Sequence, residues 1–209
     1  MCIRDRLRTP KGKILLVGSN AFSFVDVCAE GKVRNEGRIV GLEVEIYAEG
    51  VSPYSLAIDQ RGIVDVKNKA ILCSHQSKCS VSGKITAASQ EIGGAIYVFG
   101  NEILLTETGH LEASALYGGG LILVGGSFQG KDPNIPQAQW VGVSPHAKIC
   151  ANATKKGNGG DVVVWASEEN HFWGTIEAMG GPEGGEDGQI DVASLEGLFF
   201  KGEERTHAA

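Results

Sequence analysis

The chain reads as an all-β protein built as a solenoid of stacked parallel strands, and three observations point there. A two-beat phrase recurs four times along residues 82–194 with its glycines in place: SGKITAAS then IGGAIYVFG, TGHLEASA then GGGLILVGG, PHAKICANA then GNGGDVVVWAS, and WGTIEAMGG then GEDGQIDVAS. Glycine supplies 30 of 209 residues, about twice the usual ~7%, whereas proline supplies only 6 and hydrophobic residues 42%. Glycine therefore punctuates a chain with enough apolar content for a core. No window of a dozen residues keeps a 3.6-residue apolar period behind a capping residue, so helix is not expected.

Residues 1–6, MCIRDR, match the translation of a sequencing adapter and are set aside as a scar. Residues 7–209 are expected to form one solenoid segment truncated at both ends. Residues 12–18 (GKILLVG) are an aliphatic run closed by glycines. Residues 37–50 alternate Leu42, Val44 and Ile46 against Glu43, Glu45 and Tyr47, the period of a half-buried strand. Residues 55–58 and 63–66 are short strands split at 59–62. From Cys79 onward the repeat takes over.

Laid over one another, the copies predict inward-pointing Ile85, Leu111, Ile149 and Ile176, each followed two residues later by Ala87, Ala113, Ala151 and Ala178 on the same face. Gly83, Gly109 and Gly174 open the first beat, with Pro145 in the third copy. Gly94, Gly120, Gly160 and Gly188 open the second, at corners where a positive φ is expected. Their spacings are 26, 40 and 28 residues. The long interval carries an insertion near 127–146 with three prolines. Intervals in the twenties suit one solenoid turn whose inward face is buried only by its neighbours. About eight turns at ~4.8 Å each give a rod roughly 40 Å long.

Net charge is −6, and the 19 basic residues are spread thinly. That is a poor footprint for nucleic acid. No run approaches the ~18 apolar residues of a membrane helix, and no apolar signal region follows the basic start. GxSxG is absent, and the glycine pairs open strands rather than phosphate-cradling helices. No catalytic residue, cofactor or metal site is expected.

The aromatic residues divide by position. Trp165, at the end of VVVW, is expected to pack at a corner on Phe172 or Trp173. Phe128 and Trp140 flank the insertion and are the candidate partner contacts. Cys73 and Cys79, five residues apart in between, are candidates for a local disulfide or for two buried thiols. The scattered cysteines lack paired zinc spacings. His110 and His146 would meet on adjacent turns as an exposed polar stack. Glu183, Glu186 and Asp187 lie in a glycine-rich loop that lacks the repeated aspartates of calcium-binding solenoids.

The second half carries a longer pattern: a glycine-rich strand with phenylalanine-glutamine-glycine at 125–130, an alanine-closing strand at 147–153, an Asn-Gly-Gly-Asp-Val-Val-Val-Trp-Ala-Ser strand at 158–167, an aromatic-glycine strand at 172–181 and a closing glycine cluster at 184–194. In this order the stretch resembles the filamentous haemagglutinin-like exoproteins of two-partner secretion. AFSFVDVCAEGKV and SPYSLAIDQRG are similar to upstream parts of the same proteins, and the likeness covers about residues 10–202.

The resemblance implies a right-handed parallel β-helix, exported through an outer-membrane β-barrel transporter and secreted or displayed at the bacterial cell surface as an adhesin. A host-surface glycan or protein would be its contact, with insertion loops projecting from a stiff rod. The family's export-recognition region lies near the mature N-terminus, upstream of this stretch. Two alternatives remain: a β-helical polysaccharide lyase or hydrolase, and an autotransporter passenger. The enzyme would need carboxylates and a cation converging on one face.

Overall fold

The computed structural model describes residues 32–206, together with the backbone of three earlier strands. Cys28, most of AFSFVDVCAEGKV and His207 lie outside the described residues. Twenty-one strands and a single 3₁₀ turn, Phe128–Gly130, make up the described secondary structure. They wind as successive turns. The first holds β1 (Cys2–Ile3), β2 (Arg6–Arg8) and β3 (Lys13–Gly18). The second holds β4 (Val33–Asn35) and β5 (Arg38–Ala48), and the third β6 (Leu56–Gln60) and β7 (Ile63–Cys73). The fourth comprises β8 (Lys78–Val81), β9 (Lys84–Ala87) and β10 (Ala95–Phe99). The fifth comprises β11 (Glu102–Leu105), β12 (His110–Glu112) and β13 (Leu121–Val124). The sixth has β14 (Trp140–Val143), β15 (Lys148–Cys150) and β16 (Asp161–Ala166), and the seventh β17 (Glu169–Phe172), β18 (Thr175–Glu177) and β19 (Gln189–Ser194). An eighth begins with β20 (Gly197–Phe200) and β21 (Glu203–Arg205). Seven turns and part of another agree with the expected rod.

All paired strands run parallel, each bonded to its counterpart one turn away, as in β10 with β7 and β13. One eight-stranded sheet stacks β1, β4, β6, β8, β11, β14, β17 and β20. A thirteen-stranded sheet covers the other two faces. It forks at β7, which pairs with β9 through residues 63–66 and with β10 through residues 69–73. Each later turn is thus three-sided. The repeated phrase contains only two of those sides.

The core consists of ladders of like residues in register. Ile39, Val64, Ile85, Leu111, Ile149 and Ile176 form one, all fully buried. Ile46, Leu72, Val98, Val124 and Val164 form another. Every rung removes apolar surface from water, at roughly 25 cal/mol per Å². Ala87, Ala113, Ala151 and Ala178 are buried as expected.

The repeat glycines serve a different purpose from the one expected. Among the described residues, the glycines with positive φ are Gly125, Gly130, Gly157, Gly184 and Gly185, and none opens a beat. The reason for glycine is close approach between turns. A Cβ on Gly120 would overlap the carbonyl oxygen of Gly94, and one on Gly160 that of Gly120. The corner column is a ladder of backbone against backbone, with no room for a side chain.

Candidate functional site

The insertion leaves the solenoid at the corner between β13 and β14. Gly125, at φ 81°, turns the chain outward. Ala138 N–H donates back to Gly125 O at 2.6 Å, so the loop closes on itself and register resumes at once. Within it, Ser127 Oγ accepts from Asp132 N–H at 3.0 Å, and Asp132 Oδ1 accepts from Asn134 N–H at 2.9 Å. These Ser and Asp contacts build the turns locally.

This loop lies down rather than projecting, and the cause is Trp165. Alternation in β16 turns Val162 and Val164 inward, so Val163 and Trp165 face out. Trp165 is nonetheless 6% exposed, because Gly126 and Gly130 pass over its indole where any side chain would collide with the ring. The indole Nε1–H points to Gln137 Oε1 at 3.4 Å, and Ile135 packs on the same patch. Cys73, Phe99, Leu123, Val163 and Trp165 form a second small core outside the solenoid wall. Gln129 N–H reaches Asp191 Oδ2 at 3.0 Å and ties the loop to β19. The expected packing of Trp165 on Phe172 or Trp173 is therefore corrected. Phe172 points into the solenoid and stacks on Phe200 at 5.3 Å, and Trp173 lies beside His171.

The two candidate contact residues are brought to different faces. Phe128 sits in the 3₁₀ turn on the β16–β19 side, 40% exposed, with Lys131 Nζ 5.9 Å from its ring centre. Trp140 belongs to the outer face of the eight-stranded sheet. There its indole folds over Gly142, a position where a side chain would overlap the ring. His171 lies 5.7 Å from Trp140, 5.4 Å from Trp173 and 4.5 Å from Phe199, which gives an aromatic column up three turns. Glu169 Oε2 contacts His171 Nε2 at 2.9 Å. Beside the indole runs an open cleft lined by Tyr54, Glu102, Gln139, Trp140, Glu168, Glu169 and Glu196. Lys78 pairs with Glu102 across one rung and stands 5.7 Å over Tyr54. A ring face with carboxylates around it offers apolar stacking and hydrogen-bond acceptors together, the chemistry of a polar ligand with an apolar face. Tyr54, His171 and Phe199 were not found from the sequence, because each comes from a different turn and register alone unites them.

Cys73 and Cys79 are free thiols, which corrects the candidate disulfide. Cys79 points into the solenoid core and Cys73 into the outer patch under the insertion. Burial pushes both thiols above their ordinary value. The expected His110–His146 stack is also corrected. His110 pairs in register with Lys84 and Lys148, whereas His146 sits in the preceding turn at φ 69°. Ala147, not Pro145, therefore precedes the third-copy strand where Gly109 precedes the second. In the 183–187 loop, Asp187 Oδ1 accepts from Gly180 N–H at 3.1 Å and braces a turn.

A solved structure shares this architecture. The crystal structure of the HMW1 secretion domain from Haemophilus influenzae superposes with a TM-score of 0.70 over 85% of this chain, at 19% sequence identity. The chain spans about half of that structure, 49% of its length. At this identity the likeness concerns the fold, which is a parallel β-solenoid. No family model matches the chain, and no curated protein sequence matches it.

Proposed function

We propose that the chain is a non-catalytic β-solenoid segment of a large exported protein of the two-partner secretion type. A β-barrel transporter would carry it across the outer membrane, to be secreted or displayed as part of an adhesin. The observation that carries the proposal is the unbroken stack of parallel turns, alike in fold over most of the chain to a domain named for secretion. The ordered phrases at 125–130, 158–167 and 184–194 support the same family. The fold suits the task physically. Each turn is held by backbone bonds and an apolar ladder to the previous turn, so a chain emerging from a pore can add turns one at a time. The Trp140 cleft is where a host-surface glycan or protein would be met, weakly per site and summed by avidity along a rod.

Export is the direct test. The chain is joined behind the HMW1 secretion domain and co-expressed with an outer-membrane β-barrel transporter that exports that domain. The expected result is transporter-dependent appearance of the whole fusion in the medium, with the solenoid resistant to protease. A fusion that stalls in the periplasm, while the secretion domain alone is exported, overturns the proposal.

The polysaccharide-cleaving alternative has a specific place to be tested, since the Trp140 cleft holds several glutamates and Lys78 lies beside it. Incubation with a panel of acidic and neutral polysaccharides should release no new reducing or unsaturated ends. Release that disappears in Glu169→Gln or Glu102→Gln would replace the adhesive reading with a catalytic one.

A further inference from the structure

We propose that His110, Glu112 and Cys150 form a binding site for a divalent cation of the zinc class, on the outer wall between the fifth and sixth turns. His110 and Glu112 are two apart in β12 and face outward together, while Leu111 between them is buried. Cys150 lies directly beside Glu112 on the next strand in register. One ligand atom from each of the three residues, an imidazole nitrogen, a carboxylate oxygen and the thiol sulfur, all lie within 4.8 Å of one another. A tetrahedral zinc with bonds of ~2.0–2.3 Å holds its ligand atoms ~3.5 Å apart, so small side-chain rotations close the site.

The surroundings favour a cation. Nε2 of His110 is 3.1 Å from Glu112 Oε2, and no solvent reaches the nitrogen. A cation between the two would satisfy the shielded nitrogen and the carboxylate oxygen together. Glu112 Oε1 is held by the Ser114 N–H at 3.3 Å, which leaves Oε2 to face the imidazole and the thiol. An outer partner of this kind orients a metal ligand. Cys150 is 7% exposed, wedged in register between Glu112 and Glu177. Lys84 and Lys148 flank His110 but are exposed. Glu177 is committed to Asn152 Nδ2 at 2.9 Å and to Arg205 at 3.2 Å, so it is not free to act as a fourth ligand. One sulfur, one nitrogen and one oxygen select zinc over magnesium or calcium, which prefer all-oxygen shells.

The test uses the whole chain with Cys2 and Cys28 changed to serine, titrated with Co²⁺ and then Zn²⁺. The expected result is one Co²⁺ per chain with thiolate-to-metal charge-transfer absorption, displaced by Zn²⁺, and a Zn²⁺-dependent rise in the unfolding midpoint. Cys150→Ala, Cys150→Ser and His110→Ala should each abolish the band or weaken binding at least ~10-fold, whereas Cys73→Ser, whose thiol lies on another face, should retain it. Circular dichroism of each variant separates lost ligation from lost fold. Absence of a band, a band unchanged in Cys150→Ala, or equal protection by Mg²⁺ would each overturn the proposal.

Discussion

The indole of Trp140 occupies the space that a side chain at Gly142 would need. This one relationship sets the ring across its own strand and against His171, and so shapes the aromatic column of the outer sheet. Gly142→Val should evict the ring. Near-ultraviolet circular dichroism and tryptophan emission should change while the far-ultraviolet spectrum stays parental, and any glycan retained by the parent on an array should be lost, as in Trp140→Ala. An unchanged near-ultraviolet spectrum would refute this packing.

The glycine corner makes a sharper demand. Gly120→Ala places a methyl group on the carbonyl of Gly94, so two turns must separate. A loss of about 2–4 kcal/mol is expected in urea unfolding. Gly118→Ala is the control, because its added carbon would meet only Asn158 O at 3.9 Å. It should cost less than ~1 kcal/mol.

Asn170 interrupts the inward ladder between Val141 and Leu198 and is fully buried. Its Nδ2 donates across the interior to Val164 O at 2.9 Å and Ala193 O at 3.0 Å. Asn170→Ala removes both hydrogen bonds and leaves a gap in the interior, and should cost about 1–3 kcal/mol. Asn170→Asp should cost more at neutral pH, since it replaces the donor with a charge, and should recover partly in acid. Equal stability of the two variants across pH would contradict the donor role.

Trp165 anchors the insertion. Trp165→Ala should destabilise by about 3–5 kcal/mol and expose residues 126–137 to limited proteolysis. Trp140→Ala, on the opposite sheet, should leave that loop protected. Cleavage that is the same in both variants would separate the loop from its proposed anchor.

Stability should also fall in alkali through Cys79. Its thiol is held protonated by burial, above the ordinary value of 9.0. The unfolded chain therefore loses its proton first as pH rises. The contribution is complete below about pH 9 and is lost progressively above it. Cys79→Val should fold at pH 7 with a change under ~1.5 kcal/mol and show a shallower loss between pH 9 and 11. An alkaline limb as steep as the parent's would rule this thiol out as a cause.

Two of the three walls were legible because their residues carry the physics locally. Ile85, Leu111, Ile149 and Ile176 alternate with polar neighbours, and glycines mark the corners, so period and inward face follow from the order of residues alone. The third wall escaped. KCSV, EILL, WVGV and ENHF share burial of their second and fourth residues but no recurring glycine or residue type. Trp165 was misassigned for a related reason. Its burial comes from a loop folding back over it, and nothing in VVVWAS announces that cover.

The amino-acid sequence by itself determined that this chain is a solenoid, because a strand with one apolar face and a repeating length is buried only by its own copies. Which side chains meet was decided by the stacked register. Parallel turns bring residues far apart in the chain side by side, so Cys150 joins His110 and Glu112, Trp140 joins His171, and Cys73 parts from Cys79. Distance along the chain carries almost no information about contact across turns. A one-residue shift in register would have turned each of these groups to the other face.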